Sequence, residues 1–236
     1  MAEPALIITC EHGGSAIPRP YRVLFKDQRE LLASHRSYDL GALGLARRMA
    51  ARFDAPLYAA VTSRLLVDMN RSIGHPHLFS AFTRSLPEKD KQHILREYYI
   101  RHRDPIETAV RQRIALGAGV VHIACHSFAP FWDGRIRGMD VGLLYDPHRP
   151  DEHRLCAAWK KSLTDIYPTG RIRRNAPYKG VSDGLATYFR KHFAQGYAGI
   201  ELEMNQRDYL DDKVRWRRLC AAVIDALQTA LADAHS

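Results

Sequence analysis

The chain has 236 residues, 46% hydrophobic and 26% charged, ordinary globular values and enough for one substantial core. No apolar run approaches the ~20 residues of a membrane helix and no signal core opens the chain, so the expected compartment is the cytoplasm. The formal charge of +9 invites a nucleic-acid partner. However, the basic residues fall in scattered pairs (Arg47-Arg48, Lys160-Lys161, Arg173-Arg174, Arg217-Arg218) without a basic run or interleaved aromatics. That pattern fits a solvated face, or a field steering a small anionic substrate, better than a nucleic-acid groove.

In chain order, Ala5–Cys10 predicts a buried strand that runs into Glu11-His12-Gly13-Gly14, where two glycines let the backbone turn sharply. A short helix is expected from Asp27 to Ser34. A longer one, with Leu40, Leu43, Ala46 and Phe53 at helical spacing, starts at Asp39, whose plainest role is an N-cap. Residues 56–62 predict a second strand, and Leu65–Met69 an apolar run ending in Asn70-Arg71-Ser72. His75 and His77 have the spacing of a metal pair, although exposed loop histidines are commoner. Pro87 opens a helix, and Pro105 is expected to break it and start another over residues 106–116.

Val120–Ala124 has the β-branched, apolar composition of a strand buried on both faces; it ends in His126-Ser127 and is stopped by Phe128-Ala129-Pro130. Gly134–Gly138 reads as a basic, flexible loop, residues 140–146 as a strand, 151–167 as an amphipathic helix and 172–178 as an edge strand or loop. Residues 184–194 predict a helix, Gly199–Met204 a strand, and 211–232 a long closing helix. Strands alternate with helices, so the expected class is α/β: a single domain over residues 1–236 with a mostly parallel or mixed sheet flanked by helices. The four cysteines lack CxxC spacing and read as reduced core thiols.

Three buried strands each deliver a histidine or carboxylate near the end: His12, His126, and Glu201 with Glu203. Ligands in open α/β sheets bind at such ends, so the three mark one site. Two imidazoles and a carboxylate suit one divalent ion, zinc by chemistry, with a place left for water; a nearby glutamate such as Glu203 can then move protons. No GxSxG elbow, phosphate loop or dinucleotide fingerprint is present.

The segments Cys10-Glu11-His12-Gly13-Gly14, Ser34-His35-Arg36-Ser37-Tyr38-Asp39, Val67-Asp68-Met69-Asn70-Arg71-Ser72, His126-Ser127-Phe128 and Glu201-Leu202-Glu203-Met204-Asn205-Gln206 resemble the N-formylglutamate amidohydrolase family from residue 6 to about 210. The resemblance implies hydrolysis of an N-acyl amino acid, typically formylglutamate, and a fold similar to zinc carboxypeptidases and aspartoacylases. It implies metal ligands at His12 and His126, substrate contacts at Asn70, Arg71 and Ser127, and a catalytic glutamate at Glu203. The related carboxypeptidase pattern has a glutamate three residues after its first histidine, where this chain has Ser15. The third ligand is therefore Asp39 or Glu11, with Asp39 preferred because strand alternation turns Glu11 away from His12. Glu203 is preferred to Glu201 as the base, although alternation puts both on one side. Arg137, in the glycine-flanked loop, is a candidate for a second acidic group on the substrate. Two competing readings are a metallohydrolase for a peptide or another small acylated acid, and a non-catalytic basic binder.

Overall fold

The three apolar runs pair at the centre of a six-stranded sheet in the computed structural model, which describes residues 4–233. Strand β1 (Ala5–Cys10) lies beside β3 (Val120–Phe128), and β3 beside β8 (Tyr197–Asn205), all parallel. The short β2 (Leu57–Ala59) extends the sheet beyond β1. On the other side β6 (Val141–Leu144) runs antiparallel to β8 and carries β7 (Ile172–Arg174) at its edge. The sheet is therefore mixed, and the sequence expectation of an α/β class holds.

Register assigns each central residue to a face, since side chains alternate along a strand. Ile8, Cys10, Val121, Ile123, Cys125, Ile200, Leu202 and Met204 lie on one face, which is apolar from end to end. Helices α2 (Ala42–Phe53), α5 (Pro150–Ile166) and α8 (Lys213–Asp233) cover it, with Trp159 fully buried and its indole N–H donated to the Val223 carbonyl at 2.9 Å. The opposite face is largely apolar in its first half, apart from buried His122, which is hydrogen-bonded to Thr9 and the Tyr197 hydroxyl. There Ile7, Val120 and Tyr197 pack against α4 (Arg101–Ala115) and α6 (Leu185–His192). Further along, the same face carries Glu11, His126, Glu201 and Glu203. Those polar ends mark the cleft.

Several local expectations differ from the structure. β3 takes in Phe128, which was expected to stop it, and His126 and Ser127 at its end stand in a regular ladder with Glu203 and Met204. Of the strand expected over 56–62 only Leu57–Ala59 is ladder; the next residues leave the sheet and bind the loop after β1, through Gly13 N–H to Ala60 O (2.9 Å) and Ala16 N–H to Val61 O (3.0 Å). Pro105 breaks nothing. Helix α3 (Glu88–Ile94) passes through a π-helical segment, Leu95–Ile100, into α4, and Pro105 sits just after this change of ladder, where a missing N–H is cheapest. The loop expected at 134–138 is a hairpin of β4 (Phe131–Trp132) and β5 (Arg135–Ile136), turned by Asp133 and Gly134 at positive φ of 49° and 72°. The closing helix is preceded by a separate α7 (Gln206–Asp211). All four cysteines are free and buried. Among the described residues no helix is long and apolar enough to cross a membrane.

Candidate active site

His12 follows β1, and its carbonyl accepts the Asp39 N–H at 2.9 Å, which fastens the loop before α2 to the strand end. Asp39 is not a helix cap: α2 is capped at Gly41 without a side-chain bond. Its carboxylate instead turns inward and gathers the site. Oδ2 lies 2.9 Å from His126 Nδ1 and 3.4 Å from His12 Nδ1, and Oδ1 accepts from Arg64 Nη1 at 3.2 Å. His12, Asp39 and His126 are all buried and offer ligand atoms within 4.8 Å of one another.

The far side of each ring meets a second carboxylate. His12 Nε2 donates to Asp68 Oδ1 at 2.7 Å, and His126 Nε2 lies 3.0 Å from Glu11 Oε2. Burial opposes ionisation of Asp68, but Arg64 and His12 hold its carboxyl well below the usual range. An ionised carboxylate only accepts, so the ring proton of His12 belongs on Nε2, an assignment made from the hydrogen-bond network. In the neutral ring Nδ1 is then a bare lone pair, buried, without a hydrogen-bond partner, and aimed at a carboxylate oxygen 3.4 Å away. A cation between these two atoms would partner both. Imidazoles backed by carboxylates are the usual support of zinc-binding histidines, so the donor set fits a zinc-sized divalent ion. Burial likewise opposes the ionised form of Asp39, yet His12, His126 and Arg64 keep it well below its ordinary value.

Glu11 meets the Nε2 side of the His126 ring and lies 3.9 Å from His102, whereas Asp39 meets the Nδ1 side of the same ring, so Glu11 stands across His126 from Asp39. Glu203 lies directly across the ladder from His126. Burial pushes its carboxyl up to about 8; Asp39 and Glu201 add to this while His126 and Arg64 oppose it. Its Oε2 is buried without a partner. Glu201, two residues earlier on the same face, is engaged: it accepts from Asn70 Nδ2 at 3.1 Å.

Asn70 also accepts the Leu185 N–H at the start of α6 (2.6 Å), which leaves one of its two amide protons free. Arg71 spends one donor on the Asp183 carbonyl (2.9 Å) and lines the cleft. Ser127 borders the cleft, but its side chain belongs to the opposite face of β3 from His126. Its hydroxyl donates to Leu40 O (2.8 Å) and accepts from Gln206 Nε2 (3.0 Å). Arg137 stands outside the lining, against the rings of Phe128, Trp132 and Tyr178. Among the described residues His75 and His77 find no third metal ligand; His75 Nδ1 accepts the His77 N–H at 3.1 Å. Sequence reasoning missed Arg64, which bridges Asp39 and Asp68, and gave no role to Asp68. The available signal was charge beside a buried apolar run, Leu65–Met69. The whole cleft encloses about 500 Å³.

The model of the N-formylglutamate amidohydrolase family matches residues 4–210. The chain belongs to that family. This amidohydrolase relationship makes it a hydrolase by descent, and the sequence resemblance above holds. Among solved structures, gene product Atu2144 from Agrobacterium tumefaciens superposes with a TM-score of 0.85 at 25% identity, over 100% of this chain and 93% of that one. An N-formylglutamate amidohydrolase from Ralstonia eutropha JMP134 superposes at 0.65 and 19% identity, over 98% of this chain and 94% of that one, a likeness of fold. None of the curated proteins matches the chain in sequence.

Proposed function

We propose that this member of the family hydrolyses the amide of an N-acyl amino acid, an N-formyl amino acid such as N-formylglutamate in the first instance, with a divalent ion held by His12, Asp39 and His126. The observation that carries the reading is the unpartnered His12 Nδ1 facing Asp39 Oδ2 at 3.4 Å, with Asp68 holding the ring proton on the far nitrogen. Zinc is the favoured ion for two imidazoles and a carboxylate. When bound, it supplies Lewis acidity to the amide carbonyl and acidity to a water.

The chain's own residues do the rest. Arg71 offers a planar fork to the α-carboxylate of the substrate, with the remaining Asn70 amide proton beside it. Glu203 takes the proton of the attacking water and returns it to the amide nitrogen as the C–N bond breaks, so the products are the free carboxylic acid and the amino acid. A carboxyl lifted toward neutrality by burial is matched to that double duty. Arg64 balances the charge of Asp39 and Asp68, and Glu11 and Asp68 hold the two rings.

The test is a substrate panel assayed for acid release on zinc-loaded protein: N-formyl and N-acetyl derivatives of one amino acid, and a dipeptide. Faster turnover of the N-formyl compound is expected. Cleavage of the dipeptide alone would replace this reading with a peptidase.

A further inference from the structure

The mouth of the cleft has a chemistry unlike its floor. Trp132 is 53% exposed and Tyr178 43% exposed, yet both line the cleft, joined by the buried Phe128. Large rings left in water beside a polar site mark a surface that a ligand covers. The rings are also held in place. The Arg137 guanidinium lies 5.7, 5.3 and 5.1 Å from the ring centroids of Phe128, Trp132 and Tyr178, and donates to the Tyr178 hydroxyl at 3.0 Å. Arg137 is itself anchored by its N–H to Pro130 O (2.8 Å) and its carbonyl to Asn205 Nδ2 (3.0 Å). From the other wall, the His35 ring meets Trp132 edge-on at 6.4 Å. The β4–β5 hairpin, whose tight turn fixes Trp132, is therefore a preorganised aromatic shelf, with Arg137 behind it and the cleft in front.

A formyl group and a glutamate side chain have nothing to set against such a shelf. They also have on the order of a dozen non-hydrogen atoms together with the backbone, whereas a cleft of about 500 Å³ is of the size that takes drug-sized ligands. We propose that the exposed rings of Trp132 and Tyr178, backed by the buried Phe128, bind a planar aromatic group, so that the substrate is an N-acyl amino acid with an aromatic side chain. This rests on the amidohydrolase reading above and replaces its glutamate example with an aromatic amino acid. Arg137 acts as a positioning residue for the shelf rather than as a contact to a second carboxylate.

The test compares N-formylphenylalanine with N-formylalanine on zinc-loaded wild type and Trp132→Ala. Ring–ring contacts of this kind are worth roughly three- to tenfold each beyond simple burial. The wild type should therefore prefer the phenylalanine compound by about tenfold in kcat/KM, and Trp132→Ala should lose most of that ratio. A wild-type ratio near one, or a ratio unchanged in Trp132→Ala, overturns the proposal. Should neither compound be hydrolysed, calorimetric titration keeps the two claims apart. Tighter binding of N-formylphenylalanine to wild type, lost in Trp132→Ala, would sustain the shelf and sink the reaction, while equal binding of the two compounds would sink the shelf as well.

Discussion

At the scale of single residues, the two glutamates of β8 divide their work by their partners. Glu201 is tied to Asn70, whereas Glu203 keeps a buried oxygen free and faces His126 across the ladder. Glu203→Gln keeps shape and hydrogen bonding but removes the base, so kcat should fall by ~10²–10⁴ with KM and bound metal nearly unchanged. Glu201→Gln keeps an acceptor for Asn70 and should stay within a few-fold of wild type. The reverse pattern in the same assay would exchange their roles. Behind the rings, Asp68→Asn and Glu11→Gln each remove a charge that orients a histidine, and should weaken metal affinity by about 10–100-fold in a competition titration with a chelating dye. An unchanged affinity in both would return these carboxylates to simple packing. Arg71→Lys keeps the charge without the fork, so KM should rise strongly while kcat holds; an unchanged KM would leave Arg71 to its bond with Asp183.

His12, His126 and Glu203 were legible as site candidates because strand ends deliver them locally, whereas Asp39 reads locally as a helix cap and entered as a ligand candidate only through the family resemblance. The opposed faces of His126 and Ser127 were also open to reading, by alternation alone, once β3 is known to run on to Phe128. Arg64 and the role of Asp68 were harder to read: charge beside a buried apolar run marks the two residues, but Asp68 meets His12 across 56 residues and Arg64 meets Asp39 across 25, and local pattern does not name those partners.

At the scale of elements, the cleft is set by where the helices stop. Helices α4 and α6 cover only the first half of their sheet face, so the ends of β1, β3 and β8 stay available to polar groups. The start of α6 is pinned to the site by Asn70, which joins the Leu185 N–H to Glu201. Gly184 permits this close approach. A Cβ there would come within 2.9 Å of Glu201 Oε1 and 3.2 Å of Asn70 Oδ1. Gly184→Ala should therefore displace the Asn70 and Glu201 side chains, raising KM by up to ~10²-fold for a shift on the order of 1 Å, with metal content intact. A variant with wild-type KM would show that α6 absorbs the methyl without moving the site. Periodicity located most of these elements but not their joints. Pro105 looked like a break because a π segment that rehouses the ladder leaves no mark in hydropathy, and the β4–β5 hairpin is too short for alternation to register.

At the scale of the whole molecule, the sheet is an asymmetric scaffold: one face is sealed by α2, α5 and α8, and the other opens into a site that concentrates carboxylates at its floor. There His12, Asp39 and His126 bring ligand atoms within 4.8 Å of one another, an arrangement that only the folded chain provides. Metal should accordingly stabilise the fold as well as enable the chemistry, by about 4 kcal/mol when free metal is a thousandfold above Kd. Most directly, metal and activity can be measured together on wild type and His126→Ala, each stripped with a chelator and then titrated with zinc, following bound metal, the circular dichroism of the fold and formate release from N-formyl amino acids. The expected result is one tightly bound zinc per wild-type chain with formate release that rises in step with it, and a folded His126→Ala that binds no stoichiometric metal and releases none. Full formate release from the stripped wild type, or a tight equivalent of zinc retained by His126→Ala, would contradict the site.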